Sequence, residues 1–528
     1  MFKTATDQDL SNSFKMDFSK RTRSNTFAGL CRIIHHTTGL RRSSEQLERG
    51  SIQHRERLLE ALNVVVANLY AAWRADPSTY LAYSRGKPNY VHGGRYWDWG
   101  TRKPEVSLPD LRAVIDAMES SGLVESWIAP TNQRARSSRI RAGRKLVRFF
   151  RRPDFRLADI SASPDTGLII MKDADKNHIQ LPEDTDFDIN GAWNRLARIN
   201  TQLAGTALNL RVPDAAYRDL GNRMKRKSLN NRDLDLDEHE GSIVVDFTNR
   251  KIRRIFAQES FGMGGRFYGG WWQSIPSEYR LHIEIDGAIT VECDYATMQP
   301  RMFYAQAETD PPKDSYLVPG WPADIRPIAK KAFAQLINCK PVMSSRGRWY
   351  QLPPSIDPDP LPKRWTEWKK PTRTLHRRRA FHRRFGRPYD DLLADLIEFH
   401  KPIKGQFFSG AWGRMQRMDS DIAESVMLRM QDHGYTVLPV HDSFIVRAGG
   451  YPLLHRIMSE AFKEVVGVKP KVDTESIIDS SILEQCLSLS SDHSDLMNLE
   501  SIDIAEDDID QYSIYTQNKN EYIRSNFF

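Results

Sequence analysis

From Glu56 onward, apolar residues recur three and four positions apart, through Leu58, Leu59, Leu62, Val65, Val66, Leu69 and Tyr70. That spacing predicts a helix with one buried face. A second helix is predicted from Ser107, an N-cap residue with Asp110 three positions on. Leu111, Val114, Ile115 and Met118 form its apolar stripe, and Gly122 stops it. Leu123 to Ile128 then reads as a strand, and the chain returns through Lys145 to Phe150 as a second one.

Much further on, Leu281–Ile285 and Ile289–Cys293 are alternating runs around Asp286-Gly287, a strong signal for a hairpin turn. On the second run Thr290, Glu292 and Asp294 share one face, so Asp294 closes a strand on its polar side. Thr436–Val440 and Phe444–Val446 are apolar runs broken only by His441-Asp442-Ser443. A polar trio between two apolar strands places Asp442 at a hairpin tip. Between these hairpins, Ile328, Ala332 and Leu336 fall on one helical face and Arg326, Lys330 and Asn338 on the opposite one, with Asp324 as N-cap.

Charge and composition then narrow the partners. The chain has 528 residues, a net charge of +8 and a pI near 9.1, which suits an acidic polymer. The basic residues cluster. Arg134–Arg141 lies between the two predicted N-terminal strands, and helix, strand, basic hairpin, strand is the order of a winged-helix-like module. Arg139 and Arg141 are its candidate DNA contacts. Lys363–Arg387 is a second basic stretch, interleaved with Trp365, Trp368, Phe381 and Phe385, which suits phosphate neutralisation and base stacking. The four cysteines form no CxxC pair, so no zinc cluster or disulfide framework is expected. No window has the roughly 18 to 20 apolar residues a membrane helix needs, and a cytoplasmic setting is expected.

Residues 257–487 resemble the palm and fingers of family A DNA polymerases and the related single-subunit phage-type RNA polymerases. Asp294-Tyr-Ala-Thr-Met-Gln-Pro-Arg301 resembles the D-Y-S-x-x-E-x-R around that family's first metal-binding Asp. Val440-His-Asp-Ser443 resembles V-H-D-E of the DNA enzymes and H-D-S of the RNA enzymes, and Arg326-Pro-Ile-Ala-Lys330 is similar to the fingers R-x-x-x-K. Gly265-Arg266 with Gln273-Ser-Ile-Pro276 resembles T-G-R…Q-N-I-P, and Arg414–Ile422 resembles the M-Q-G-x-x-A-D-I helix.

The resemblance implies an α+β right-hand polymerase with an antiparallel palm sheet and helical fingers. It implies Mg²⁺, replaceable by Mn²⁺, held as two ions by Asp294, Asp442 and the main-chain carbonyl of Tyr295. Arg326 and Lys330 would bind the incoming triphosphate, with Lys330 also assisting the leaving pyrophosphate. Tyr295, Gln299 and Asn338 would lie against the nucleotide. Arg266, Gln273 and Gln416 would track the primer-template, and His441 would support the primer terminus. Three positions depart from the pattern: Gln299 replaces a Glu, Asn338 stands near an expected Tyr, and Ser443 follows the RNA enzymes.

The expected activity is template-dependent DNA synthesis on a primer without proofreading, with other replication proteins as partners, in the setting of a mobile element or phage genome. Two rivals stay open: an RNA polymerase or primase-like enzyme using NTPs, and a DNA-binding replication initiator with a non-catalytic palm. The expected domains are a mobile polar N-terminus (1–50), a winged-helix-like domain (51–157), a mixed connecting or thumb-like region (158–256), palm and fingers (257–487, with 363–387 inserted), and a disordered acidic tail (488–528).

Overall fold

A computed structural model describes residues 13–22, 24–40, 49–91, 97–98, 103–104, 106–128, 137–162, 167–182, 184–230, 245–338 and 370–478. Short pieces at 480, 483, 511–512, 514–517 and 519–520 complete it. The basic residues Arg134 and Arg136, and Trp365 and Trp368, lie outside these residues, as does most of the acidic stretch after 483. Two large apolar cores organise the described chain, one N-terminal and one running from Leu168 onward.

The N-terminal core begins earlier than the polar composition of residues 1–50 suggests. Phe14, Met16 and Phe18 alternate along the chain, and Phe27, Leu30, Cys31 and Ile34 sit at helical spacing. All are buried, so β1 (Ser13–Lys15), β2 (Lys20–Thr22) and α1 (Asn25–Thr37) are core elements rather than a mobile leader. Next come α2 (Arg49–Ala75), β3 (Tyr80–Tyr83) and α3 (Leu108–Ser120). Ser107 caps α3 by accepting from the Asp110 amide at 3.2 Å and donating to its carboxylate at 2.6 Å.

β4 (Val124–Trp127) and β5 (Ser138–Ala142) pair antiparallel, and the sheet order is β1-β3-β5-β4. The returning strand is therefore the basic segment itself, and the predicted strand at Lys145–Phe150 is instead α4 (Arg144–Phe150). Leu146 and Phe150 are buried while Arg148 between them is exposed; a strand would put all three on one face, whereas a helix turns Arg148 away from the core. β6 (Ile160–Ala162) pairs with β2.

In the second region β7 (Ile169–Lys172), α5 (Ile189–Gly205), β8 (Leu208–Leu210) and α6 (Asp214–Asn230) lead to the hairpin β9 (Arg253–Ala257) and β10 (Ser260–Tyr268). β11 (Ile283–Ile285) and β12 (Ala288–Tyr295) form the expected hairpin, with Ile285 opposite Ala288 and positive φ at Asp286 (54°) and Gly287 (82°). Helices α7 (Met298–Gln306), α8 (Arg326–Asn338), α9 (Lys370–Phe385), α10 (Tyr389–Phe399) and α11 (Trp412–Asp432) follow. β13 (Leu438–Val440), β14 (Ser443–Arg447), α12 (Tyr451–Val466) and β15 (Val472–Ser476) close the region. The six-stranded sheet has the order β8-β11-β12-β14-β13, with β15 also on β12, and every pairing is antiparallel.

The last described residues return to this sheet. Tyr515 is buried and donates from its hydroxyl to Glu284 at 2.8 Å, while its carbonyl accepts from Asn209 at 3.2 Å. An aromatic with a hydrogen-bonded hydroxyl anchors the chain there, so the expectation of a disordered tail does not hold at Tyr515. No helix among the described residues is long and apolar enough to cross a membrane.

Candidate functional site

Strand register brings the two carboxylates together. β12 and β14 pair so that Asp294 stands opposite Ser443, the residue after Asp442. Val440 pairs with Ser443 across β13–β14, leaving His441-Asp442 as a two-residue hairpin tip. His441 has φ +60°, a backbone state that a non-glycine residue adopts only when its surroundings hold it. The Tyr295 amide donates to the Asp442 carbonyl at 3.3 Å, which ties the tip to the end of β12. The Ser443 hydroxyl donates to Asp294 Oδ1 at 2.9 Å.

The electrostatics follow from this geometry. Asp294 titrates at about 7, raised first by burial and then by the Asp442 charge, with opposing help from Ser443 and Lys330. Burial and a neighbouring carboxylate both penalise its ionised form. A divalent cation relieves that combination, and an oxygen-only donor set suits a hard ion. Among the described residues no cluster of three or more His, Cys, Asp or Glu could hold a metal. Asp294 and Asp442 would therefore need phosphate and water oxygens to complete the shell, as Mg²⁺ ordinarily does.

Helix α8 faces this pair. Arg326, Lys330 and Asn338 are all exposed on one side, while Ile328, Ala332 and Leu336 are buried on the other, as the spacing predicts. Lys330 is close enough for its charge to oppose the rise at Asp294. Arg326 donates from Nε to Asp314 at 2.7 Å and lies 5.6 Å from the Tyr316 ring centre. Asp324 is not the N-cap of α8. It lies in a short 3-10 turn (Ala323–Ile325) that runs into the helix, and it pairs with Arg384 at 2.9 Å.

The other candidate residues are placed as follows. The Tyr295 side chain is buried, with its hydroxyl donating to the Met458 carbonyl at 2.7 Å, so only its main chain can face the site. Gln299 is half-buried on the first turn of α7. Gln416 is half-buried on α11, and His441 meets the Tyr268 ring edge-on at 5.5 Å. Gln273 has its amide occupied: Nε2 donates to the Phe267 and Pro439 carbonyls at 3.0 and 2.8 Å, and Oε1 accepts from the Gly269 amide at 2.9 Å. It braces the β13 strand rather than facing outward.

Arg266 is likewise engaged, in a two-pronged pair with the buried Asp419 on α11. Burial raises Asp419 to about 6, against the pull of Arg266, and the Asp442 charge reaches both groups. Arg141 pairs with Glu125 at 2.7 Å and stacks over Tyr80, while Arg139 bonds Ser13 at 3.1 Å and lies over Trp127. Phe381 and Phe385 of α9 pack inward against Trp321 rather than presenting rings for stacking, which corrects that expectation for these two residues. Phe381 is 1% exposed, so the helix needs it as its anchor.

Asp314, Tyr316 and Asp419 were not singled out in the sequence. Tyr316 is buried, and its hydroxyl is pushed up by burial, opposed by Arg326 and reinforced by Asp442, Asp314 and Asp294. It therefore lies within electrostatic reach of both Arg326 on α8 and the carboxylate pair. Asp314 and Tyr316 fall in an irregular, Pro-rich segment with no periodicity to flag them. Asp419 was legible only as one acid among several in Arg414–Ile422.

No protein-family profile matches the chain, and no curated protein matches it. Among solved structures it is similar to the POL domain of Pol1 from M. smegmatis, which was determined in complex with DNA primer-template and dNTP. The identity is 11% and the TM-score 0.27, over 56% of this chain and 57% of that one, so the chain spans a little over half the length of this neighbour.

Proposed function

We propose that the protein is a template-dependent nucleotidyltransferase, a DNA polymerase extending a primer 3′ end, with β11–β14 as its palm and α8 on its fingers. One observation carries this reading: Asp294 and Asp442 converge at one end of the sheet, within electrostatic reach of Lys330 on α8. Asp294, Asp442 and the Tyr295 carbonyl would hold Mg²⁺. When bound, two such ions supply Lewis acidity at the attacking hydroxyl and the leaving pyrophosphate. Arg326 would grip the triphosphate, which requires it to share or exchange Asp314. Lys330 would neutralise charge on the pyrophosphate. Ser443 orients Asp294 by its hydrogen bond, and His441, the first residue of the hairpin tip, would lie beside the primer end. Gln299 puts an amide where a carboxylate would otherwise screen the sugar.

The N-terminal region supports a winged-helix-like reading in its order of helix, strand, helix and two pairing strands, with β5 between β3 and β4. The test of the whole reading is incorporation from dNTP and NTP pools on primed and unprimed templates. Extension of primers with dNTPs is expected. Preference for NTPs, or synthesis without a primer, would move the assignment to the RNA polymerase or primase reading. For Lys330→Ala and Arg326→Ala we expect KM for the nucleotide to rise by about 10-fold or more, the loss of one charge-assisted contact. A steady-state titration of nucleotide measures it, and an unchanged KM would remove α8 from the site.

A further inference from the structure

The geometry points to α4, rather than α3 or the basic strand β5, as the surface on which the N-terminal region receives nucleic acid, and we infer that its ligand is the phosphate backbone of a duplex. In a winged-helix arrangement α3 would enter the groove, yet its solvent side is poorly suited to a polyanion. Arg112, Asp116 and Glu119 are exposed there. Asp116 pairs with Arg85 at 3.4 Å, and Arg112 donates to the Arg85 carbonyl at 2.5 Å. On β5, Arg141 is neutralised by Glu125.

α4 differs on each count. Arg144, Lys145, Arg148 and Arg151 are exposed, and no acidic residue lies between Arg144 and Arg152. Among the described residues Arg144, Arg148 and Arg151 have no ion-pair partner, and Lys145 donates only to the Ser121 carbonyl at 2.8 Å. The opposite face, Leu146 and Phe150, is buried against α2, where Phe150 meets Tyr70 edge-on at 5.1 Å. The ridge is therefore held rigidly by the core, so little order has to be gained on binding.

Arg144 and Arg148 are one turn apart, about 6 Å along the axis, and Arg151 follows on the next turn. A row of guanidinium groups at that spacing suits successive backbone phosphates, which each can engage with two N–H groups. No aromatic ring is exposed on this face: Phe149 is half-buried and Phe150 buried. A single strand would call for a stacking platform, whereas backbone contact to a duplex needs charge and position alone. The ridge deepens the polymerase reading but does not depend on it, because binding is measured separately from incorporation.

The experiment is fluorescence anisotropy of a labelled mixed-sequence 25-bp duplex with the full-length chain between 50 and 200 mM salt. It compares wild type, the triple variant Arg144→Ala/Arg148→Ala/Arg151→Ala, and a control, Arg32→Ala/Arg55→Ala, which removes exposed arginines from α1 and α2. The triple variant should bind at least about 10-fold more weakly. Its log Kd against log salt should lose close to three times the ~0.9 slope expected per phosphate contact. The loss should be uniform across sequences, with the control near wild type. An unchanged slope, an equal loss in the control, tighter binding of wild type to a single strand, or no duplex binding by wild type would each overturn the inference. Primer extension at saturating template should be retained by the triple variant, which separates failure here from failure of the active-site reading.

Discussion

Replacing Asp294 by Asn should abolish nucleotide incorporation and at the same time make the protein harder to unfold. The first effect, on the order of 10³-fold or more, is what the proposed function requires, because Asp294 would be a charged ligand of the metal ions. The second follows from linkage. Asp294 titrates at about 7 in the fold against an ordinary 3.8, so between those values the folded chain holds a proton that the unfolded chain has released. Stability from this group is fully present below about pH 4 and is lost as pH rises through 7.

At pH 8 without divalent cation, the ionised pair therefore weighs against the fold. Asn keeps an oxygen for the Ser443 hydroxyl and carries no charge. With 1.36 kcal/mol per pKa unit, and some of the shift relieved by solvent and by the pair's own rearrangement, the gain should be about 1–3 kcal/mol. Differential scanning calorimetry at pH 8 and pH 4 measures it. The variant should melt higher at pH 8 and equally at pH 4, and Mg²⁺ should raise the melting temperature of wild type only. A variant that melts lower at pH 8 would contradict the placement of two carboxylates at one point.

Arg254→Leu should destabilise the sheet region by about 2–4 kcal/mol, because it leaves the buried Gly265 carbonyl and Ser420 hydroxyl without their donor and breaks the link to α11, although Asp421 keeps Arg417 and Glu424 keeps Arg195. Arg254 is 1% exposed. Its Nε donates to the Gly265 carbonyl at 2.9 Å, Nη2 reaches Asp421 at 2.6 Å and Ser420 at 3.1 Å, and Nη1 reaches Glu424 at 3.3 Å. Phe256 and Phe267 flank the guanidinium at 5.2 and 5.3 Å. These contacts fasten β9–β10 to α11, and α11 carries the Asp419 that holds Arg266 beside Asp442. Loss of the anchor should therefore remove activity through the fold. Urea unfolding of wild type and variant tests this, and a difference under 1 kcal/mol would show that the network is peripheral.

Local signals carried much of this architecture. The Asp286-Gly287 hairpin, the Ser107 cap and the two-faced helix α8 are each specified within a few residues, and the structure places them where the pattern does. The carboxylate pair was legible because each Asp ends an apolar run, and a period of two fixes which side it faces. What escaped the sequence depends on contacts between distant segments. Arg266 looks like an outward-facing base until α11 supplies Asp419. Gln273 looks available until the β13 carbonyl is brought to it. At Lys145–Phe150 the apolar run reads as a strand, but Leu146, Arg148 and Phe150 would then share one face; a helix buries the two apolar residues and leaves Arg148 in solvent. Tyr515 was hidden by its acidic neighbourhood, although one aromatic side chain suffices to dock a segment.

The role proposed for Asp294 and Asp442 is catalysis of nucleotidyl transfer. Its most direct test is single-turnover addition of one nucleotide to a labelled primer on a DNA template with Mg²⁺, comparing wild type with Asp442→Ala at equal folded concentration and saturating template. Rapid addition of the templated dNMP by wild type, with addition by the variant undetectable or slower by at least about 10³-fold, is the predicted result. Equal addition by both proteins, or none by a folded wild type that binds the primer-template, would contradict it.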